Sequence, residues 1–152
     1  MKHTAALPPR MIAIALWSVF WLSPARSFAQ NQSLVTHHFA GTNKDDPTKN
    51  TRTDDVTHFV IHLDDPYSMY IVSSMYEEDL RDPMKNIRFT VQREVDSEFD
   101  EKTRIVSRTY LTSMMTGSVP LSDFVYVTVS KTLDNKVLRI FIVWDKVTWS
   151  YW

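Results

Sequence analysis

The chain of 152 residues contains no cysteine at all. That excludes a disulfide-framework toxin or growth factor, removes thiol catalysis, and leaves no residue for an N-terminal lipid anchor. Glycine is almost as scarce, with only Gly41 and Gly117. A backbone cradle for phosphate, which needs several closely spaced glycines, cannot be assembled from these two. No Gly-x-Ser-x-Gly elbow and no His-Glu-x-x-His pair occurs anywhere. The apolar run from Met11 to Leu22 is shorter than the ~20 residues a membrane-spanning helix requires. Charge of either sign is not in large excess, with 17 Lys and Arg against 18 Asp and Glu.

That N-terminal run has the anatomy of a secretory signal. Lys2 and Arg10 supply the positive region before it, and Ser27-Phe28-Ala29 places small residues where a signal peptidase reads them. Cleavage is expected after Ala29, which assigns residues 1–29 to the signal and directs the rest to the periplasm or the extracellular space. Without Lys2, Arg10 and Arg26, 14 bases face 18 acids, a net charge of −4. Such a chain has no electrostatic reason to bind nucleic acid or an anionic membrane surface. No stable membrane insertion is expected once the signal is gone. Asn31-Gln32-Ser33 matches a glycosylation acceptor, relevant only in a eukaryotic secretory route.

Residues 30–55 read as a short first strand followed by a polar loop, and residues 56–152 as a β-rich domain. The most informative stretch is Ser122–Trp152, rich in β-branched and aromatic residues. With Asp134-Asn135 as the turn, Val129 opposes Ile140, Val127 opposes Ile142 and Val125 opposes Trp144. Directly opposed residues of an antiparallel pair share a face, so these side chains, with Leu138, form one apolar surface. The apolar phase changes after Trp144, which marks Asp145-Lys146 as a bend or bulge.

Upstream, Phe59, Ile61 and Leu63 alternate with His58, Val60 and His62 and predict a strand. Residues 67–76 predict a second strand folding back, with Tyr67, Met69 and Ile71 opposite Leu63, Ile61 and Phe59. Residues 86–95 alternate most cleanly, with Ile87, Phe89, Val91 and Val95 inward. Asp96 to Lys102 reads as an acidic turn, and Thr103 to Met115 as a long strand. Up to seven strands at spacings near ten residues predict an all-β antiparallel β-sandwich. The alternative is α+β, with one helix over 66–80 packed on a four-stranded antiparallel meander.

Three groups of residues are candidates for chemistry. His62 and Asp64, two apart at the end of a strand, could supply half a metal site, but four ligands cannot be assembled around them and no metal or other cofactor is expected. Glu94, Asp96, Glu98 and Asp100 would project from one side of an extended segment, an oxygen-rich array that suits calcium, although the glycine of a calcium loop is missing. Trp149, Tyr151 and Trp152 load the chain end with rings that can stack on a sugar or anchor a protein interface. The functional expectation is an exported binding module for a protein or glycan, acting through these three rings. A carboxylate- or metal-dependent hydrolase is the alternative enzyme reading. A structural subunit that assembles by strand addition is the third.

Overall fold

The computed structural model describes residues 31–152; the expected signal segment and the expected cut after Ala29 lie outside the described residues. The described chain is almost entirely antiparallel β. Its ten strands are β1 (Gln32–Thr36), β2 (Phe39–Asn43), β3 (Thr51–Thr53), β4 (Thr57–His62), β5 (Tyr70–Ser74), β6 (Ile87–Asp100), β7 (Ile105–Thr116), β8 (Val119–Thr132), β9 (Val137–Trp144) and β10 (Val147–Tyr151). Residues 30–55, expected as one strand and a loop, thus contribute three strands and a 3-10 turn over Pro47–Lys49. The helix considered over 66–80 is not formed. Tyr70–Ser74 is a strand, and only Glu78–Arg81 makes a short 3-10 turn. The β-branched and aromatic content of Tyr70-Ile71-Val72 favours the pleated form over the helix.

The strands belong to one sheet, in the order β1-β4-β5-β6-β7-β8-β9-β10-β2-β3, rather than to two stacked sheets of about seven strands in all. Chain connectivity decides the shape of that sheet. β1 stands at one end of the order and β2 near the other, yet only His37 and His38 separate them. Two residues span at most ~7 Å, so the sheet must curl until its ends meet. β1 and β2 are one bent stave that pairs with β4 along its first half and with β10 along its second. The carbonyl of Trp152 accepts from both His37 N–H (3.3 Å) and His38 N–H (3.2 Å) and seals the bend. The result is an up-and-down barrel of eight staves, in which β3 pairs with β2 in line with the pairing of β4 with β1. Eight strands enclose a space that side chains can fill, and here they do: Phe59, Ile61, Ile71, Phe89, Met114 and Ile142 are each no more than 1 % exposed.

The predicted central hairpin has the expected register, with Val125 opposite Trp144, Val127 opposite Ile142 and Val129 opposite Ile140. Its loop end differs. A bulge after Ser130 sets Lys131 opposite Val137, so Val137 takes the buried place expected for Leu138. Asn135 adopts the left-handed φ of 68° expected at that turn. Asp145-Lys146 is neither bulge nor bend but the whole two-residue loop of the β9–β10 hairpin, since Trp144 pairs with Val147. The β4–β5 pair is offset by two residues from expectation: Ile61 meets Ile71, and Phe59 meets Ser73. At the β7–β8 turn Gly117 has φ +57°, and a Cβ there would lie 2.7 Å from the Met84 sulfur. The conformation favours glycine there; the Met84 side chain is 72 % exposed and can move aside.

β6, β7 and β8 run 14, 12 and 14 residues, against about 5–6 for a common strand. They rise past the ends of β4 and β5 as a three-stranded flange beside one mouth of the barrel. The expected acidic turn at Asp96 to Lys102 is therefore mostly strand, and Val95 is exposed rather than inward. Bulges between Val91 and Arg93 and between Glu94 and Asp96 change which face each later side chain takes.

Candidate functional site

The flange builds a pocket at its barrel mouth. Tyr110 faces inward on β7 opposite Val127, and Arg108 and Val106 follow it at alternate positions towards the rim. On β8, Val129 and Lys131 alternate in the same way. Leu63 and Asp64, which follow β4, close the opposite wall, and Leu133 comes from the β8–β9 loop. The enclosed volume is about 330 Å³. The floor is the packed interior, because Val129 is 2 % and Tyr110 4 % exposed. The barrel therefore has a shallow cup at this end and no through-channel.

Charge in the cup is unequally satisfied. Arg108 Nη1 lies 3.6 Å from Glu94 Oε2 on the neighbouring strand. The second bulge of β6 makes that pairing possible, since it leaves Glu94 opposite Tyr110 on the inner face and sends Asp96, Glu98 and Asp100 outward. The four carboxylates thus do not form the single row expected of a uniform strand. Lys131 makes no ion pair among the described residues; its Nζ donates to Asn135 Oδ1 at 3.2 Å. Burial lowers the Lys131 amine below its usual pKa, with Asp64 opposing the shift. Burial, helped by Glu94, raises the Tyr110 phenol. Both effects follow from taking a charged form out of water.

His62 and Asp64 do not converge. The His62 ring lies outside the barrel, stacked on Tyr70 at 5.0 Å, with Nδ1 2.6 Å from Asn31 Oδ1. Asp64 belongs to the cup instead. Among the described residues, no three His, Asp or Glu side chains come together. The sequence reading missed Arg108, Tyr110 and Lys131 altogether. Their two-residue spacing on adjacent strands was legible, but the closure that turns this inner face into a cup was not.

The chain has no counterpart among protein-family models, curated proteins or solved structures.

The three C-terminal rings separate by face. Trp149 and Tyr151 oppose Ile142 and Ile140 and point into the barrel. Trp149 also lies opposite Gly41, where an added Cβ would come within 3.0 Å of Thr51 Oγ1 and 3.2 Å of the Phe39 ring. Tyr151 packs its ring 5.0 Å from Phe59 and 5.1 Å from Phe39. Trp152 turns outward and is 38 % exposed. It sits 5.8 Å from the His38 ring, under the Arg52 guanidinium at 5.7 Å, and borders a groove of about 350 Å³ with Glu98, Asp100 and Arg139.

Two expected outcomes follow from these positions. Trp149→Ala empties an inward site and should lower stability by about 3 kcal/mol, near the bottom of the range for buried aromatics. Trp152→Ala should change it by less than ~1 kcal/mol. Urea denaturation of the two variants measures both, and equal losses would contradict the face assignment. The Tyr151 phenol is the second case, pushed up to about 12 by burial from an ordinary 10.0. The folded chain keeps this proton where the unfolded chain has lost it. The stability this contributes is complete below about pH 10 and drains away between about pH 10 and 12. Denaturation midpoints on either side of that window should fall less in Tyr151→Phe than in the parent. An identical alkaline loss in both would place the phenol in solvent.

Proposed function

We propose that this protein is an exported binding module, and that it holds a small molecule in the cup at the flanged mouth of its barrel. The observation that carries this reading is the cup itself. It is the concave end of a closed barrel, where apolar Leu63, Val106, Val129 and Leu133 line the hollow together with polar groups, among them Arg108, Tyr110 and Lys131. Small-ligand sites have this composition and recur in the mouths of barrels. The filled interior below limits the ligand to a shallow seat. Titration of ¹⁵N-labelled protein with a panel of small amphiphiles is the test. Amide shifts clustered at Leu63, Tyr110 and Lys131 are expected, and a panel that perturbs none of them sinks the reading.

A second binding reading has its own support in Trp152. The half-exposed indole beside Glu98, Asp100 and Arg139 offers a stacking face flanked by hydrogen-bonding groups, which suits a glycan or a protein loop. Here Trp149 and Tyr151 would act by anchoring the strand that presents Trp152. Trp152→Ala should then weaken capture of an oligosaccharide or protein partner while sparing the melting temperature. Two other readings find less support. A hydrolase would want acids and histidines gathered in one hollow, and His62 and Asp64 lie apart. Strand addition would want a long uncharged free edge; β3 offers three residues centred on Arg52, β1 offers five, and the longer edge of β6 beyond Val91 carries Glu94, Asp96, Glu98 and Asp100.

A further inference from the structure

We infer that the cup selects small organic anions, a carboxylate or sulfonate carrying a short apolar tail, with the anionic group held by Lys131 and Arg108. This inference rests on the cup being the ligand site and adds the chemistry of the ligand. The barrel wall contributes two cations, one from each of two adjacent strands. Arg108 lies opposite Val129, and Lys131 lies opposite Val106. The two cations are therefore diagonal neighbours on one face, ~7–8 Å apart at the backbone, a separation their long side chains can close around one carboxylate. Leu63, Val106, Val129 and Leu133 provide apolar surface on which a short tail can lie.

The unsatisfied partner is Lys131. A half-buried cation is stabilised by a contacting anion, and among the described residues its hydrogen bond is to the neutral Asn135 amide. Arg108 is held at the edge of the cup by Glu94 at 3.6 Å, longer than a tight charge-assisted hydrogen bond. Its guanidinium keeps donors for a second acceptor, since it carries five in a planar fork. Asp64, on the facing wall, is the one carboxylate in the lining. It works against a second anion nearby and so limits the cup to ligands with a single acidic group. The Tyr110 hydroxyl sits at the base of the same wall as a neutral donor, because burial keeps its phenol protonated. An ammonium ligand would meet Arg108 and Lys131 as like charges. A neutral alcohol would leave Lys131 without a counter-ion.

The test uses three ligands with one tail: octanoate, octanol and octylamine, added to the purified ¹⁵N-labelled protein and to its Lys131→Met and Lys131→Arg variants. Octanoate should shift the amides of Arg108, Tyr110 and Lys131. Its affinity should fall at least tenfold in Lys131→Met and return in Lys131→Arg, while octylamine should leave the cup unperturbed. If octanol or octylamine fills the cup as tightly as octanoate, the anion preference is overturned and the cup remains a ligand site. If octanoate moves only residues of the Trp152 groove, or none of the three ligands moves any residue, both the preference and the cup are overturned. If octanoate binds the cup equally in all three proteins, the assignment of Lys131 is overturned.

Discussion

Val127→Asp should destabilise the protein by about 4 kcal/mol or more and lower its melting temperature by roughly 15 °C or more. Val127 has no exposed surface, opposes Ile142 on β9 and Tyr110 on β7, and lies among residues that carry no charge. A carboxylate placed there either ionises without a partner or takes up a proton at a cost in stability, and neither route restores the lost packing. Tyr126→Asp is the matched control. Tyr126 is the next residue on the same strand, faces outward and is 44 % exposed. Its substitution should cost at most ~1 kcal/mol. Thermal and urea denaturation of the pair reads the orientation of β8 directly. Similar losses in the two variants would mean that the face assignment of the central hairpin is wrong.

Phe59→Ala should cost about 3–5 kcal/mol, the range for truncating a buried aromatic in a close-packed core. The more informative measurement pairs it with Tyr151. Phe59 lies on β4 and Tyr151 on β10, two strands that share no backbone ladder and are six positions apart in the sheet order. Their rings nevertheless meet edge to face at 5.0 Å. That contact exists only if the sheet closes. A double-mutant cycle with Phe59→Leu and Tyr151→Leu should give a coupling energy of about 0.5–1.5 kcal/mol. A coupling indistinguishable from zero would leave the sheet open at the seam between β1 and β2, and the cup would lose its far wall at Leu63 and Asp64.

The cup also explains why the flange strands are so long. Arg108 and Lys131 stand beyond the level at which β4 ends, so only strands that overrun the barrel can carry them to the rim. Their length has a second consequence. β7 is flanked by β6 and β8 over most of its outer part, so the overrun does not leave β7 with unpaired backbone. Cross-strand hydroxyl pairs add to it on the outer face, Ser107 with Ser130 and Thr109 with Thr128, each at 2.9 Å.

Alternation along the chain was sufficient to find which residues face inward on most strands. Phe59 and Ile61, Phe89 and Val91, and Val125 through Val129 all follow a period of two, because successive side chains of a strand leave opposite faces. The central hairpin's register was legible for the same reason, since a slip by one residue would have turned the apolar side chains of one strand away from those of the other. A slip by two leaves every face unchanged. The pairing of Ile61 with Ile71 rather than with Met69 was therefore invisible to a pattern of period two, and the loop between the strands decided it. Bulges are invisible in the same way. One extra residue after Val91 and another after Glu94 separate Glu94 from Asp96, Glu98 and Asp100, and nothing in the local composition marks where the ladder skips. The choice between a stacked sandwich and a curled sheet was also beyond the pattern, because both bury one face of every strand. It was settled by where two short N-terminal strands go. β1 joins β4, β2 joins β10, and the two residues between them draw the ends of the sheet together. Local chemistry thus determined that the chain is β and which side of each strand is apolar. The closure, and with it the meeting of Arg108, Lys131 and Asp64 at one mouth, depended on contacts between residues far apart in the chain, which only the folded structure brings together.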